Sequence, residues 1–280
     1  MENDLYFTAE PGKSGEPDSA DEPGKADEPC KAEASCKAVE PDSADEPGKA
    51  DEPCKAEASG KAEALAALYR EYRASVSEAS FRNYGGYSYV WGCGNTCASV
   101  VMIGEAPGEN EVKEGRPFVG KAGKILDEFL EKTSISRGDL FITNTIKYRL
   151  SRPRKGAPDT EAFMDESFIP PSFLANRPAT EREIFHGAGF LARELLILKP
   201  RIVVTLGNVP LKAVNSFFLP GNSGCTVGEL HGKPETVRQG GFDFFLFPLY
   251  HPASLIYDKS KRACYEEDLE KLKALRSVPG

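Results

Sequence analysis

The first quarter of this chain has almost nothing to bury. Between Glu10 and Ala64 there is no Phe, Trp, Tyr, Ile, Leu or Met, and Val39 is the only branched apolar residue. A segment of that composition cannot offset the entropy lost on ordering, so it is expected to be disordered. It also lacks the apolar face that stacked repeats require, although "EPDSADEPGKADEPCKAEAS" stands at residues 16–35 and again, letter for letter, at 40–59. Residues 1–63 therefore read as a duplicated low-complexity tail, with no partner specified by its chemistry.

Two further absences narrow the class of protein. No apolar run approaches the length that crosses a bilayer, and the acidic N-terminus has neither the basic nor the apolar region of a secretory leader. No membrane association and a cytoplasmic location are expected. In that reducing compartment the seven cysteines are expected to be thiols.

Arginine is missing from the tail as well. Residues 1–63 carry 7 Lys and no Arg against 18 acidic residues, a net charge of −11, whereas the whole chain is −8 and the remainder is +3. The overall acidity belongs to the tail, so it does not argue against nucleic-acid binding by the rest.

From about Leu65 the texture changes. Leu65, Leu68, Tyr69 and Tyr72 recur at three and four residues and predict a helix. "SVVMI" (99–103), "LFIT" (140–143), "RIVVT" (201–205) and "FDFFLFPL" (242–249) read as four buried strands. Helices are predicted between them: "KAGKILDEFLEK", a long one opened by a Thr180–Glu183 capping box, one through Phe217, and a last one over residues 263–275. This alternation predicts an α/β fold over residues 64–280, a three-layer α/β/α arrangement around a mostly parallel four-stranded sheet, while the oligomeric state is left open with a monomer as the default.

Ligands of such sheets bind beyond the carboxyl ends of the strands. Those ends are followed here by "GEAPGENE", "NTIKYR", "LGN" and "YHPAS", so one pocket is expected to gather Glu105, Glu111, Asn144, Gly207 and His251. The first loop continues to Gly123, dense in glycine and holding four glutamates and one aromatic, Phe118. It has neither GxGxxG nor GxxxxGK[ST], and its carboxylates would repel phosphate. A planar, largely neutral ligand suits it better: Phe118 offers a stacking face and Asn144 a donor and an acceptor for an amide edge. A nucleobase is such a ligand. His251 would then hydrogen-bond an oxygen that gains negative charge, and a carboxylate would orient a water or stabilise a cation.

The loop 104–123, together with "ITN", "LGN" and "HPAS" in that order, resembles the uracil-DNA glycosylase superfamily, and most of all its family-four type, over about residues 65–275. The resemblance implies hydrolysis of the N-glycosidic bond of deoxyuridine in DNA, releasing uracil and leaving an abasic site. It implies that Glu105, flanked by Gly104 and Ala106 in the substrate pocket, positions water or steadies the sugar cation. Glu111 closes the pocket near the C5 edge of uracil, Phe118 stacks on the base, Asn144 reads it, and His251 stabilises the departing anion. Which glutamate handles the water is left open. "PASLIYDKSKR" (Pro252, Ala253, Ser254, Leu255, Ile256 through Lys259, Lys261 and Arg262) corresponds to the loop that enters the minor groove, with Leu255 or Ile256 as the wedge. Arg152 and Arg154, in a stretch longer than the family's counterpart, would add phosphate contacts.

The chain departs from that family in one respect. Family-four enzymes resemble one another in holding an iron–sulfur cluster on four cysteines, and the aligned positions here are Ser75, Glu78, Tyr148 and His186. No metal or cluster is therefore expected, and packing around Tyr148 and His186 is expected to replace it. The spacing of Cys93 and Cys97 is weak evidence for a metal site. The competing function is a non-catalytic or covalently trapping uracil-DNA binder. The trapping kind resembles an insertion with an extra His, and no His lies between Glu105 and Phe185.

Overall fold

The structure, a computed structural model, describes residues 52–79, 87–155, 173–222, 224–239 and 241–278. The tail up to residue 51, with the first copy of its duplication, lies outside the described residues. Helix α1 (Glu52–Ala79) is followed by a two-residue strand β1 (Cys93–Gly94) and by β2 (Val100–Gly104). Helices α2 (Glu109–Glu114) and α3 (Lys121–Lys132) lead to β3 (Leu140–Asn144). A small antiparallel pair, β4 (Ser151–Pro153) and β5 (Leu174–Asn176), comes next. The chain continues through α4 (Glu181–Leu198), β6 (Ile202–Leu206), α5 (Asn208–Phe218) and α6 (Val227–Leu230). It ends with β7 (Glu235–Gln239), β8 (Phe242–Leu249), α7 (Ser254–Tyr257) and α8 (Lys261–Ser277).

The main sheet runs β1-β3-β2-β6-β8-β7. Its four central strands are parallel and are the four read from the sequence, whereas the antiparallel edge strands β1 and β7 raise the expected four to six. The physical reason is plain for both. Two residues carry no periodicity, and "ETVRQ" has a single buried apolar side chain, Val237, so its pattern is that of a polar loop.

Successive side chains of the central strands point to opposite faces, and both faces are covered. Val101, Ile103, Phe141 and Val203 pack with Leu65 of α1, Leu191 and Leu195 of α4, and Leu211 and Val214 of α5. Val100, Met102, Ile142 and Val204 pack with Leu126 and Phe129 of α3 and with Tyr265, Leu269 and Leu272 of α8. Burying each such side chain is worth about 1.5–3 kcal/mol, which is why these strands read as unbroken apolar runs. The three-layer α/β/α arrangement follows directly. No helix among the described residues is long and apolar enough to cross a membrane.

One helix runs across the boundary drawn from composition. The division at residues 63 and 64 falls inside α1, which begins at Glu52. The stretch has nothing to bury, but Ala, Glu and Lys favour helix intrinsically, and Lys61 pairs with Glu57 one turn back while donating to the Leu198 carbonyl at 3.1 Å. Apolar poverty excludes a core, not a helical extension of an anchored helix.

Chain order places the ligand crevice. β3 and β6 lie on either side of β2, with α3 crossing on one face of the sheet and α4 on the other, so the direction of winding reverses at β2. A crevice opens at such a reversal. Here it lies at Gly104.

Candidate active site

Parallel register sets the first contacts. Gly104 ends β2 opposite Asn144 at the end of β3, and Leu206 ends β6 opposite Leu249 of β8. The chains leaving these ends stay tied together: Thr145 N–H donates to the Gly104 carbonyl at 2.8 Å, Ile146 N–H to that of Glu105 at 2.9 Å, and Gly207 N–H to that of Leu249 at 2.8 Å.

Gly104 itself must be glycine for a reason of space. A Cβ there would stand 2.3 Å from Asn144 Oδ1 and 2.7 Å from the Phe118 ring. The close approach brings the carboxamide and the aromatic ring to one spot. Asn144 is almost fully buried, and its carboxamide has no hydrogen-bond partner among the described residues. The carboxamide is not among the side-chain groups sealed from solvent without a partner, so its donor and acceptor stay accessible to an incoming amide edge.

Phe118 occupies a left-handed backbone conformation, φ 56°, which an aromatic residue adopts reluctantly. Arg137 holds it there, donating to the Pro117 carbonyl at 2.8 Å and to the Phe118 carbonyl at 2.9 Å while pairing with Asp127. The Phe118 ring lies 6.0 Å from the His251 ring, with planes 32° apart. His251 follows β8 and sits against Gly207. Its Nδ1 accepts the Ala253 N–H at 3.1 Å, so the neutral ring carries its proton on Nε2. Burial holds its pKa below the ordinary 6.5, against a smaller opposing pull from Glu111.

The two glutamates differ in what they already do. Glu111 is committed to the loop: Oε2 accepts Gly108 N–H at 3.1 Å and Oε1 accepts Gly120 N–H at 2.9 Å, closing the motif on itself around α2. Glu105 is half-buried and accepts one weaker bond, from Ala179 N–H at 3.3 Å. Burial pushes its carboxyl above the ordinary 4.5, and that bond offsets only part of the effect. Ala106 packs partly buried against the aromatic group around Tyr72 and Tyr148. Glu109 pairs with Lys113 and with Arg149.

Gly104, Phe118, Asn144, Gly207 and His251 thus lie close together at the carboxyl ends of the parallel strands, with Glu105 and Glu111 on the loop that follows β2. The segment after His251 is sorted differently from expectation. Leu255, one of two wedge candidates, is only 1% exposed and packs in the core beneath α8, and Pro252 is buried too. Ile256 and Tyr257 point outward instead, at 41% and 89% exposure. A short helix explains the exchange, because α7 turns Leu255 inward and the next two residues out. Ala253 and Ser254 are half-buried, and the Ser254 hydroxyl donates to the His251 carbonyl. Lys259 is exposed. Lys261 lies over the Tyr250 ring, and Arg262 is engaged with Glu128 and the Phe129 ring, so its guanidinium already has partners. Arg152 and Arg154 are exposed on and just after β4, while residues 156–172 of that insertion lie outside the described residues.

A buried network escaped the sequence reading. Lys147 is 1% exposed, and its three ammonium protons are all placed, on Thr143 Oγ1, on the Asn144 carbonyl and on Glu194 Oε2, each at 2.6 Å. Glu194 also accepts from the Thr143 and Tyr69 hydroxyls. Burial lowers the Lys147 pKa and Glu194 pulls it back. The signal was available: Glu194 falls among Leu191, Leu195 and Leu198 on the buried face of α4, where a carboxylate requires a partner.

A cluster of the four-cysteine type needs four thiolates. At the aligned positions Ser75 Oγ lies 2.9 Å from His186 Nε2, and the Tyr148 hydroxyl donates to Glu183 at 2.9 Å. Tyr148 packs edge-on to Tyr87, and His186 lies against Tyr72 and Phe190. The backbone of Glu78 is in α1 and its side chain lies outside the described residues. Hydroxyl, phenol and imidazole do not fit the cluster. Cys225 and Cys264 are free thiols.

With this geometry in hand, the comparison with known proteins is informative. A family profile described as the Uracil DNA glycosylase superfamily matches residues 91–273. The chain is 37% identical over 191 residues to a type-4 uracil-DNA glycosylase of Saccharolobus solfataricus, which covers 67% of this chain and 76% of the relative. It is 34% identical over 183 residues to one of Sulfurisphaera tokodaii, covering 65% and 72%. To one of Thermotoga maritima it is 33% identical over 193 residues, covering 68% and 84%. A fold wound about β2 and a match over about two thirds of the chain lead to one conclusion: the chain belongs to the uracil-DNA glycosylase superfamily.

Proposed function

We propose that this chain excises uracil from DNA, hydrolysing the N-glycosidic bond of deoxyuridine to give free uracil and an abasic site. The observation that carries the reading is the unpartnered carboxamide of Asn144 facing the same crevice as the Phe118 ring and the imidazole of His251. Uracil presents a flat face and an amide edge to match. Taking it from the stack costs a few kcal/mol, which stacking and the Asn144 hydrogen bonds offset. Ile256 and Tyr257, exposed beside the crevice, fill the vacated position, and Lys259, Arg152 and Arg154 meet phosphates.

His251 acts as a neutral electrophile in this scheme. Its Nε2–H donates to the uracil oxygen on which charge grows as the bond to the sugar breaks, and the Ala253 amide on Nδ1 keeps that tautomer. Glu105, with lone pairs to spare and a raised pKa, receives the proton of the attacking water or steadies the oxocarbenium-like sugar. Glu111 shapes the wall near the C5 edge through its grip on Gly108 and Gly120.

The direct test is incubation with uracil-containing single strands and duplexes, followed by alkaline cleavage at abasic sites. Strand scission supports the enzyme; a gel shift without scission would assign the chain to the binder class. A pH profile of kcat/KM probes Glu105. A base must be unprotonated, and burial raises this carboxyl above 4.5, so activity should fall on the acid side while ordinary carboxylates are still ionised. Glu105→Gln should remove that limb and lower the rate by about 10²–10⁴. A limb at or below 4.5, or one retained by the variant, would contradict the assignment.

We further propose that the chain works as a monomer without an iron–sulfur cluster, the Ser75–His186 bond and the aromatic packing about Tyr148 taking the cluster's structural place. Aerobically purified protein should be colourless. Visible absorption accompanied by stoichiometric iron and sulfide would refute this.

A further inference from the structure

On the far side of the strand end that carries His251, three side chains from distant parts of the sequence meet. His231 Nδ1 lies 2.6 Å from Asp268 Oδ2, and Cys264 Sγ lies 3.5 Å from the same His231 nitrogen and 3.9 Å from the same Asp268 oxygen. Cys264 and Asp268 are one turn apart on α8, and His231 is 33 residues before Cys264, so folding alone assembles the group. We propose that His231, Cys264 and Asp268 form a binding site for a zinc-like divalent transition metal, with a solvent molecule as the fourth ligand.

Geometry supports the donor set. Tetrahedral zinc, with bonds of about 2.0–2.3 Å to N, O and S, needs donor-to-donor edges of roughly 3.3–3.6 Å. The sulfur–nitrogen edge is already 3.5 Å, and the sulfur–oxygen edge of 3.9 Å needs a small closure. Only the nitrogen–oxygen edge must open, from 2.6 Å, and His231 is 26% exposed and can turn. Asp268 is fixed: it is 1% exposed, and Lys271 donates to its other oxygen at 3.0 Å. Gly232 makes room for it, since a Cβ there would stand 1.9 Å from Asp268 Oδ1. Both His231 and Cys264 are half-exposed, which leaves the outer side of the site open to water. Mixed nitrogen, sulfur and oxygen donors suit zinc or cobalt better than magnesium or calcium.

The same three residues do not form a nucleophilic triad. A relay needs the thiol and the carboxylate on different imidazole nitrogens, and here Nδ1 is the nearer nitrogen for both. Burial and the neighbouring Asp268 also push the Cys264 thiol upward, away from a reactive thiolate, whereas a bound metal displaces that proton directly. Metal here would pin α8 to the segment around Tyr250, whose ring lies 4.6 Å from that of His231.

Cobalt(II) is the probe, because a cobalt–thiolate bond gives a charge-transfer band in the near ultraviolet. The full chain is used with Cys30, Cys36 and Cys54 replaced by Ser, so that tail thiols do not compete. One equivalent of cobalt(II) should give the band, and Cys264→Ser should abolish it. Zinc(II) should displace cobalt and raise the thermal midpoint of the parent but not of Cys264→Ser, a mild change at a half-exposed position. His231→Gln gives a second check without touching the buried carboxylate and should weaken cobalt binding at least tenfold. A band that survives in Cys264→Ser, or no band and no thermal shift in the parent, overturns the proposal.

Discussion

Glu194→Ala is expected to destabilise the protein by about 3–5 kcal/mol, the cost of leaving a buried ammonium without its counter-ion. Nothing near Lys147 can stand in, because it is 1% exposed and its other two protons go to neutral oxygens. Denaturant unfolding of the variant measures the loss, and a change below about 1 kcal/mol would mean that the pair is not the closed network described. The double replacement Lys147→Met with Glu194→Leu separates two roles. Removing both charges is often neutral for stability. It nevertheless releases the Asn144 carbonyl, which Lys147 holds at 2.6 Å, so uracil excision should fall even in a well-folded double variant.

His251→Ala should lower kcat for uracil excision by about 10²–10³, the usual effect of deleting one donor to a developing anion. Binding of uracil-containing DNA should change far less, because the imidazole bond strengthens only as the glycosidic bond breaks. Asn144→Ala is expected to fall in the same range by a different route: no described residue hydrogen-bonds its carboxamide and its atoms are not sealed from solvent, so its removal costs the complex a base contact and the free protein little. Single-turnover kinetics alongside gel shifts distinguish the two. Equal losses in binding and cleavage for His251→Ala would show that the residue binds DNA and does not act on the departing base.

Much of this site could be read before any coordinates. Asn144 and His251 announce themselves because each follows an apolar strand, where a parallel sheet opens its ligand crevice. Leu255 and Ile256 both stayed open as the wedge for a definite reason: "SLIY" has four residues, too few for a helical period to show, so inward and outward positions cannot be told apart by pattern. Glu111 was read as a pocket acid from its place in the motif, and only hydrogen bonding reveals that both its oxygens already hold backbone amides. The first three turns of α1 were not legible because apolar content measures core formation, whereas an Ala, Glu and Lys stretch can continue a helix anchored elsewhere.

By itself the sequence determined the periodicities, hence the four parallel strands, the helices that cover them and the end of the sheet where a ligand sits. It did so because side-chain spacing and backbone direction are local properties. Tertiary structure alone decided the side-chain partners: the Lys147 ammonium under Asn144, the tautomer of His251, the commitment of Glu111, and the meeting of His231 with Cys264 and Asp268. Those depend on distances across the fold, where a few tenths of an ångström separate a hydrogen bond from none, and such distances leave no periodic trace along the chain.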